Sequence, residues 1–422
     1  MNILHVNNAD LLGSRFNGHD MQRALNALGI TADQVVMEQI GGDSHTHLLP
    51  TWFGENYLRE RIMAGEQKLS IHAMLYPYLL KLADTPEFQK ADVVHYHLLH
   101  NYFGSLPLLP YMTALKPSVL TVHDPWIFTG HCIHPRECDR WMSGCGDCPH
   151  LDENFPMEKD RTTLQWKVKQ NTFSRTDLDL VVASSYMMDL VKRSPITRHL
   201  DHVHLIPFGI DINIFSTHRS QKKSRKRLGI PEKNFVLFFR ADRTKYKGFS
   251  SIRYVLDHLG EKSTVTLLAV GEPGLLHNYN GKYQIVDLGW ITDDDLMADL
   301  YSACDVFLMP STGEAFGLMA IETMASGRPL VCFEGTSLPA VSFAPKCGVA
   351  VPKDDIGALL AAVERLRESP DERRVRGELG RKLAEEHYRF EDYVERHIQL
   401  YKEILRRRKG ERTHGRKEKN DR

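Results

Sequence analysis

Short apolar runs recur along this chain, and most of them are followed by a polar loop and then a helical pattern. The first run covers residues 3–6, and the loop after it leads into Met21, Ala24, Leu25 and Leu28, which are spaced as on one face of a helix. Apolar runs that alternate with helices are typical of parallel strands buried on both faces. The repetition therefore predicts an α/β fold built from doubly wound sheets.

The same pattern continues in both halves of the chain and divides it into two domains. A segment at 207–211 and a polar, basic stretch at 216–227 separate the halves. We predict a Rossmann-like domain at residues 1–210, a second one at 211–385, and at 386–422 a helix that crosses back to the first domain and carries a basic tail. An aromatic-rich helical region is expected at 52–88. The further strands are predicted at 92–95, 119–122, 180–183, 234–239, 264–270, 284–288, 306–309 and 329–332.

Composition is that of an ordinary globular protein and argues against nucleic acid as a partner. Of the 422 residues, 42% are hydrophobic and 26% are charged, which is typical of folded domains. Lys plus Arg and Asp plus Glu both number 54, so no overall positive field attracts nucleic acid. No apolar run reaches the length of about 18 residues that a membrane-spanning helix needs, and the start has no secretory signal pattern. We therefore expect a cytoplasmic protein.

The last stretch of the chain is basic and lacks apolar periodicity. Residues 406–422 hold nine Lys or Arg against three Asp or Glu, a local excess of six positive charges. Two interpretations fit. The stretch is either a solvated, frayed tail or a peripheral contact with anionic lipid at the inner face of the cytoplasmic membrane, where each basic residue near the surface contributes about 1 kcal/mol.

The most informative segment is residues 310–329, which begins where a predicted strand ends. Gly317 lets the backbone approach a ligand closely, and residues 318–325 favour a helix. The amides at the start of that helix form an anion site. Glu314 precedes the helix, and Glu322 lies about one turn into it. Two carboxylates beside an anion site suit a ligand that carries both sugar hydroxyls and phosphate.

Two glutamates separated by seven residues, with Phe-Gly-Leu between them, resemble the signature of retaining glycosyltransferases with the GT-B fold, the family 4-like group 1 glycosyl transferases. Three further segments extend the resemblance over nearly the whole chain: a basic segment at 240–248, a Leu-Gly-Trp loop with the helix after it at 288–305, and an interdomain segment at 205–211. The resemblance implies two Rossmann-like domains that face each other across a cleft. The first would bind the acceptor, and the second the nucleotide sugar.

The resemblance implies a nucleotide-diphosphate sugar, either a UDP- or a GDP-sugar, as the donor. It assigns Glu314 to catalysis at the hydroxyls near the anomeric carbon and Glu322 to the ribose hydroxyls. Arg240 and Lys247 would clamp the diphosphate. The alternatives for these two positions are Arg243 and Lys245. The amides that would touch the sugar and the diphosphate belong to Phe316, Gly317 and Leu318.

In the first domain, the resemblance points to residues at the ends of two strands. His123 follows a predicted strand, and the resemblance assigns it to catalysis, as a donor to a sugar hydroxyl or a phosphate oxygen. Asp124 would either orient the acceptor or cap the next turn. The loop after the first strand lacks the Gly-Gly doublet of the family, and Asn17 with Gly18 would make the tight turn on the acceptor side instead.

The implied reaction is a hexosyl transfer with retention of anomeric configuration and without a bound metal. A saccharide or lipid-linked acceptor attacks from the face that the phosphate leaves, and a phosphate oxygen takes the proton. The carboxylate nucleophile that retaining glycosidases use is therefore not needed. Such enzymes build surface polysaccharide, lipopolysaccharide or capsule. Two alternatives stay open: a sugar-nucleotide hydrolase or epimerase on the same fold, and a non-catalytic sugar-nucleotide-binding protein.

Four of the seven cysteines crowd into an insertion at residues 131–149 of the first domain. Four thiolates can complete a tetrahedral zinc site, and a reduced, cytosolic chain favours a metal over disulfides. Structural zinc is the favoured interpretation, ahead of unmetallated cysteines or a disulfide and of a redox role. His131 and His134 are alternative ligands. The four candidate ligands are Cys132, Cys138, Cys145 and Cys148.

Overall fold

The computed structural model describes residues 1–50 and 55–420, and of residues 55–56 and 411–420 it describes the backbone alone. The chain divides into two compact units. The first comprises Met1–Ile206 together with Val394–Arg422, and the second comprises Pro207–Tyr393. Trp52, where the aromatic-rich helical region was expected to begin, lies outside the described residues, as do the last two residues of the basic tail.

The described residues contain thirteen strands and fifteen α-helices, and short 3₁₀ turns connect several of them. The strands are β1 (Asn2–Ala9), β2 (Thr31–Glu38), β3 (Thr46–Leu48), β4 (Val93–His97), β5 (Ser118–Val122), β6 (Asp179–Val182), β7 (Val203–Leu205), β8 (Phe235–Ala241), β9 (Val265–Gly271), β10 (Gln284–Asp287), β11 (Val306–Met309), β12 (Leu330–Phe333) and β13 (Val349–Val351). The helices are α1 (His19–Ala27), α2 (Glu55–Leu69), α3 (Tyr78–Ala83), α4 (Pro86–Lys90), α5 (Leu109–Leu115), α6 (Thr162–Phe173), α7 (Ser185–Arg193), α8 (Gln221–Arg227), α9 (Phe249–His258), α10 (Asp294–Ala303), α11 (Leu318–Ala325), α12 (Leu338–Val341), α13 (Ile356–Glu368), α14 (Pro370–His387) and α15 (Phe390–Asn420).

The first unit contains a parallel sheet of seven strands in the order β3-β2-β1-β4-β5-β6-β7. The central strands β4, β5 and β6 are buried along their whole length, as expected of strands covered on both faces. The strand order reverses direction between β1 and β4, which places a topological switch point at the carboxyl ends of these two strands.

The second unit contains a parallel sheet of six strands in the order β10-β9-β8-β11-β12-β13. Its core is built from alternate residues of β8, β9 and β11 and from apolar faces of α9 and α13. The switch point of this sheet lies between β8 and β11. Two doubly wound parallel sheets confirm the predicted fold class.

Each predicted strand overlaps an observed one, but four strands were not predicted. β3, β7 and β13 have three residues each, too few for a visible pattern. β2 has eight residues and carries Asp33 and Gln34 among its apolar positions, so its apolar run is short.

The helix α15 includes most of the basic tail and continues to Asn420. Lys, Arg and Glu dominate its last turns, and they are good helix formers even without an apolar face. Among the described helices, none combines the length and the apolar composition that crossing a bilayer requires.

Candidate active site

The loops that follow β8 and β11 carry most of the predicted donor-site residues. These two strands are parallel neighbours, with Leu237 opposite Val306 and Phe239 opposite Leu308. Their carboxyl ends therefore meet at one edge of the sheet, at the switch point where open α/β sheets bind ligands. Residues far apart in sequence are brought together here.

Lys247 and Glu314 lie in direct contact at this edge. The Lys247 ammonium donates to Glu314 Oε2 at 2.9 Å, and both side chains are largely buried. The backbone holds the two loops together: the Thr312 amide donates to the Tyr246 carbonyl at 2.8 Å. Gly248, at φ +75°, lies so close to Pro310 that a Cβ atom would meet its carbonyl oxygen at 2.0 Å. The contact is thus set by backbone packing rather than by two mobile side chains.

Arg240 occupies the next-to-last position of strand β8 and pairs with a neighbouring carboxylate. Its guanidinium lies 2.6 Å from Asp242 Oδ2 and 4.8 Å from the ring centroid of Trp290. Burial acts to raise the pKa of Asp242, but hydrogen bonds from Thr244 and the charge of Arg240 outweigh it and hold that pKa below its ordinary value. The arginine is therefore oriented by an ionised partner. The alternative Arg243 is exposed and lies beside Glu272.

The predicted helix over residues 318–325 is confirmed as α11. Gly317 caps its N-terminus at φ +96°, where a side chain would be strained and a Cβ atom would meet Leu338 Cδ2 at 2.6 Å. Phe316 is buried, with its ring 5.2 Å from that of Phe208. This packing places the amides of residues 316–318 at the N-terminus of the helix, and a helix N-terminus carries a partial positive charge.

Glu322 lies inside α11 and is 2% exposed. Its Oε2 accepts a hydrogen bond of 2.7 Å from the Tyr301 hydroxyl on α10. A buried carboxylate needs such a partner because water no longer solvates it. The hydrogen bond from Tyr301 thus holds the Glu322 side chain in one position within α11.

In the first unit, His123 and Asp124 follow β5 directly. His123 Nε2 lies 3.2 Å from His97 Nδ1. Asp124 Oδ1 accepts from the Trp126 amide at 2.9 Å, which caps the following 3₁₀ turn, and Oδ2 lies 3.1 Å from His100 Nε2. Burial acts to raise the pKa of Asp124, but His100 and the Trp126 amide hold it below its ordinary value. Of the two roles left open for Asp124, the cap is present.

Asn17 and Gly18 end the loop between β1 and α1. The side-chain amide of Asn17 donates to the carbonyl oxygens of Ala9, at the end of β1, and of Asp10 and Leu12 in the loop, and its Oδ1 accepts from the His19 backbone amide. Gly18 caps α1 at φ +95°. The tight turn expected at these residues is confirmed. Their acceptor-side role stays a prediction.

The four clustered thiols line one cavity together with His131. Each of the four cysteines is free of a disulfide. The Gly130 amide donates to Cys145 Sγ at 3.2 Å, and the His150 amide donates to Cys148 Sγ at 3.4 Å. A hydrogen bond between Cys132 and Cys148 lowers the pKa of the Cys148 thiol and raises that of Cys132. The cavity therefore gathers soft ligands and backbone donors that favour a thiolate.

Sequence reasoning missed three side chains that hold this chemistry in place: Asp242, Tyr301 and His97. Asp242 had a signal, because it follows a strand end two residues after Arg240. His97 also had one, since His95 and His97 alternate on a strand and so share a face. Tyr301 lies in the segment 288–305 that the resemblance covers, but its contact with Glu322 joins two helices and has no local pattern.

Residues 220–383 match the family described as glycosyl transferases group 1. The second unit belongs to this family. The matched stretch contains Arg240, Lys247, Glu314 and Glu322. The family resemblance inferred from the glutamate pair is therefore confirmed for the domain that carries this pair. The group 1 glycosyl transferase domain occupies most of the second unit.

Two curated relatives and one solved structure extend the comparison. MMP alpha-(1->4)-mannosyltransferase of Mycolicibacterium hassiacum is 27% identical over 238 residues, which are 54% of this chain and 54% of that protein. O-antigen chain mannosyltransferase C of Escherichia coli is 27% identical over 237 residues, 54% of this chain and 62% of that protein. These matches span less than two thirds of either relative. Anabaena HepE in complex with UDP and glucose shares the fold, with a TM-score of 0.67 and 16% identity over 95% of this chain and 99% of that chain.

Proposed function

We propose that this chain is a retaining glycosyltransferase that moves a sugar from a nucleotide-diphosphate donor to a saccharide or lipid-linked acceptor. The observation that carries the proposal is the contact of Lys247 with Glu314 at the switch point of the second sheet, beside the N-terminus of α11. A cation, a carboxylate and a row of helix amides at one place suit a ligand that has both phosphate oxygens and sugar hydroxyls.

In this proposal the basic side chains stabilise the leaving group. Arg240 and Lys247 bind the diphosphate, whose negative charge grows as the sugar departs, and pre-oriented cations lower the energy of that state most effectively. The amides of Phe316, Gly317 and Leu318 add the positive end of α11. Because these groups belong to the protein, the reaction is proposed to need no bound metal.

The two carboxylates and His123 then have separate tasks. Glu314 accepts hydrogen bonds from hydroxyls near the anomeric carbon, and Glu322 accepts them from the ribose. His123 donates to a sugar hydroxyl or a phosphate oxygen. The acceptor hydroxyl attacks from the face that the phosphate leaves and passes its proton to a phosphate oxygen, so the anomeric configuration is retained.

The donor is proposed to be a UDP- or GDP-sugar, and the product a surface polysaccharide, lipopolysaccharide or capsule. Anabaena HepE, which shares the fold, forms a complex with UDP and glucose, and one relative is named as an O-antigen mannosyltransferase. A cytoplasmic protein that touches the inner membrane face through its basic C-terminal residues would meet lipid-linked acceptors. A structural zinc ion held by Cys132, Cys138, Cys145 and Cys148 completes the proposal.

Transfer itself tests the proposal. The protein is incubated with a panel of UDP- and GDP-sugars and with saccharide and lipid-linked acceptors, and the products are separated by mass. A glycosylated acceptor whose new linkage keeps the donor's anomeric configuration by NMR is the expected result. Free sugar or an epimerised nucleotide sugar would instead identify a hydrolase or an epimerase. Binding of a nucleotide sugar without turnover on any acceptor would identify a binding protein.

A further inference from the structure

Three buried histidines, His5, His95 and His97, form a row across the first sheet that ends at the half-buried His123. His5 lies on β1 directly opposite His95 on β4, and His97 lies two residues further along β4. His123 follows β5 two residues after Thr121, the neighbour of His97. Because side chains alternate along strands, these rings lie on the same face of the sheet.

Three of these rings form a continuous hydrogen-bonded chain. His5 Nδ1 lies 3.1 Å from His97 Nε2, and His97 Nδ1 lies 3.2 Å from His123 Nε2. Burial lowers the pKa of His5 and of His123 to about 3 and that of His97 well below its ordinary value. At neutral pH each ring is therefore uncharged and has one N–H group and one lone pair. The two bonds must consequently point in the same direction along the chain.

His5 decides that direction. Its Nε2 is buried without a hydrogen-bond partner among the described residues. If the chain ran from His123 towards His5, this nitrogen would carry an unpaired buried N–H group. In the opposite direction it holds only an unpaired lone pair, and buried donors without partners are the rarer of the two. His5 therefore donates to His97, and His97 donates to His123.

The group is also a poor metal site, although the ligand atoms of His5, His95 and His97 lie within 4.8 Å of one another. Both nitrogens of His95 are occupied, by the Tyr401 and Thr121 hydroxyls at 2.7 Å each. The backbone of Gly18 covers the other two rings, since a Cβ atom there would lie 2.6 Å from His5 Nδ1 and 2.8 Å from His97 Nε2.

We propose that His97 and His5 are positioning residues that keep His123 in the tautomer with its proton on Nδ1, so that this nitrogen is a hydrogen-bond donor. The use of that donor on a sugar or phosphate oxygen rests on the proposed function. The tautomer does not, because it follows from contacts within the first unit. The direction of the donor is therefore set in the core of the sheet, before any ligand binds.

The test is nitrogen NMR of the ¹⁵N-histidine-labelled full chain near pH 7.5, with the His123 signals assigned by their loss in His123→Gln. Long-range proton–nitrogen spectra distinguish the two neutral tautomers and the charged ring. The expected result is a neutral His123 with the proton on Nδ1. If His123 of the unmodified protein carried its proton on Nε2, or had a charged ring, the proposal would be overturned. Zinc-dependent shifts of the His5 and His97 signals would replace it with a metal site.

Two variants connect the tautomer to turnover. His97→Asn keeps an N–H donor near the position of Nδ1, whereas His97→Leu removes it. We expect His97→Leu to give mixed His123 tautomers and a kcat about tenfold lower, with little change in KM for the donor. We expect His97→Asn to keep the single His123 tautomer and a kcat close to that of the unmodified protein. Equal effects of the two variants would contradict positioning. An Nδ1–H tautomer without any transfer would leave the positioning intact and refute the proposed function alone.

Discussion

Lys247 and Glu314 form an ion pair of 2.9 Å at the edge of the second sheet where β8 and β11 end, and the donor is proposed to bind there. A diphosphate that approaches the edge competes with Glu314 for the ammonium. Both side chains are largely buried, so loss of the cation would remove a close opposite charge from Glu314 and would also remove a charge that the leaving group needs.

We therefore predict that Lys247→Met lowers kcat for sugar transfer by about 100-fold, the usual cost of removing one group that stabilises a developing anion. The measurement is steady-state transfer at saturating donor. Lys233→Met, at an exposed lysine of the same unit, serves as the control and should retain full activity. Near-normal turnover of Lys247→Met would move the role to Lys245 or Arg243.

Glu322 carries a second residue-scale prediction. Glu322→Gln keeps the size of the side chain but removes its charge, and charge-assisted hydrogen bonds are about twice as strong as neutral ones. Nucleotide affinity measured by calorimetry should fall about tenfold, a change of about 1.4 kcal/mol. Glu334→Gln, at an exposed position of the same unit, should leave the affinity unchanged. Equal affinities for Glu322→Gln and the unmodified protein would refute the ribose contact.

At the scale of elements, α11 depends on the left-handed backbone of Gly317. Gly317→Ala places a Cβ atom at φ +96° and 2.6 Å from Leu338, so we expect a loss of stability of about 1–3 kcal/mol and weaker donor binding because the helix amides move. Gly357→Ala, in the first turn of α13 with ordinary contacts, should stabilise the protein slightly. Thermal denaturation and donor titration measure both effects, and an unchanged melting temperature for Gly317→Ala would contradict the prediction.

The cysteine segment is the other element with a testable ligand. Zinc at four thiolates predicts about one zinc ion per chain by elemental analysis of protein purified without added metal. Cys148→Ser should lower the zinc content and the melting temperature together. Cys347→Ser changes a thiol outside the segment, where a hydroxyl can keep the hydrogen bond to the Ser342 carbonyl, and should retain the metal. A zinc-free native protein would favour unmetallated cysteines.

The buried histidines of the first unit predict how the whole protein responds to acid. In the first unit, burial lowers the pKa of His5, His72 and His123 to about 3, and those of His95 and His97 fall well below 6.5. Below pH 6.5 the unfolded chain therefore binds more protons than the native one, and stability falls as pH falls. At pH values well above 6.5 these groups are neutral in both states and contribute no pH dependence.

We predict that the first unit loosens before the second between pH 7.5 and pH 5.5. Each of these histidines contributes up to about 1.4 kcal/mol of destabilisation per pH unit below 6.5. Hydrogen exchange followed by mass spectrometry, corrected for the intrinsic effect of pH, should show increased exchange in β1, β4 and β5, while β8, β9 and β11 of the second unit serve as the internal control. Uniform exchange in both units would refute the prediction.

The two doubly wound sheets could be predicted from the amino-acid sequence, because apolar runs between helical patterns are local signals of buried parallel strands. The start of α11 could likewise be predicted, since a glycine before a run of helix formers acts within a few residues. Which side chains come into contact could not be predicted from local patterns and became visible in the folded chain. Lys247 and Glu314 are 67 residues apart, and His5 and His97 are 92 apart. Their contacts depend on which strands become neighbours, and strand order is set by packing of the whole sheet rather than by any local pattern.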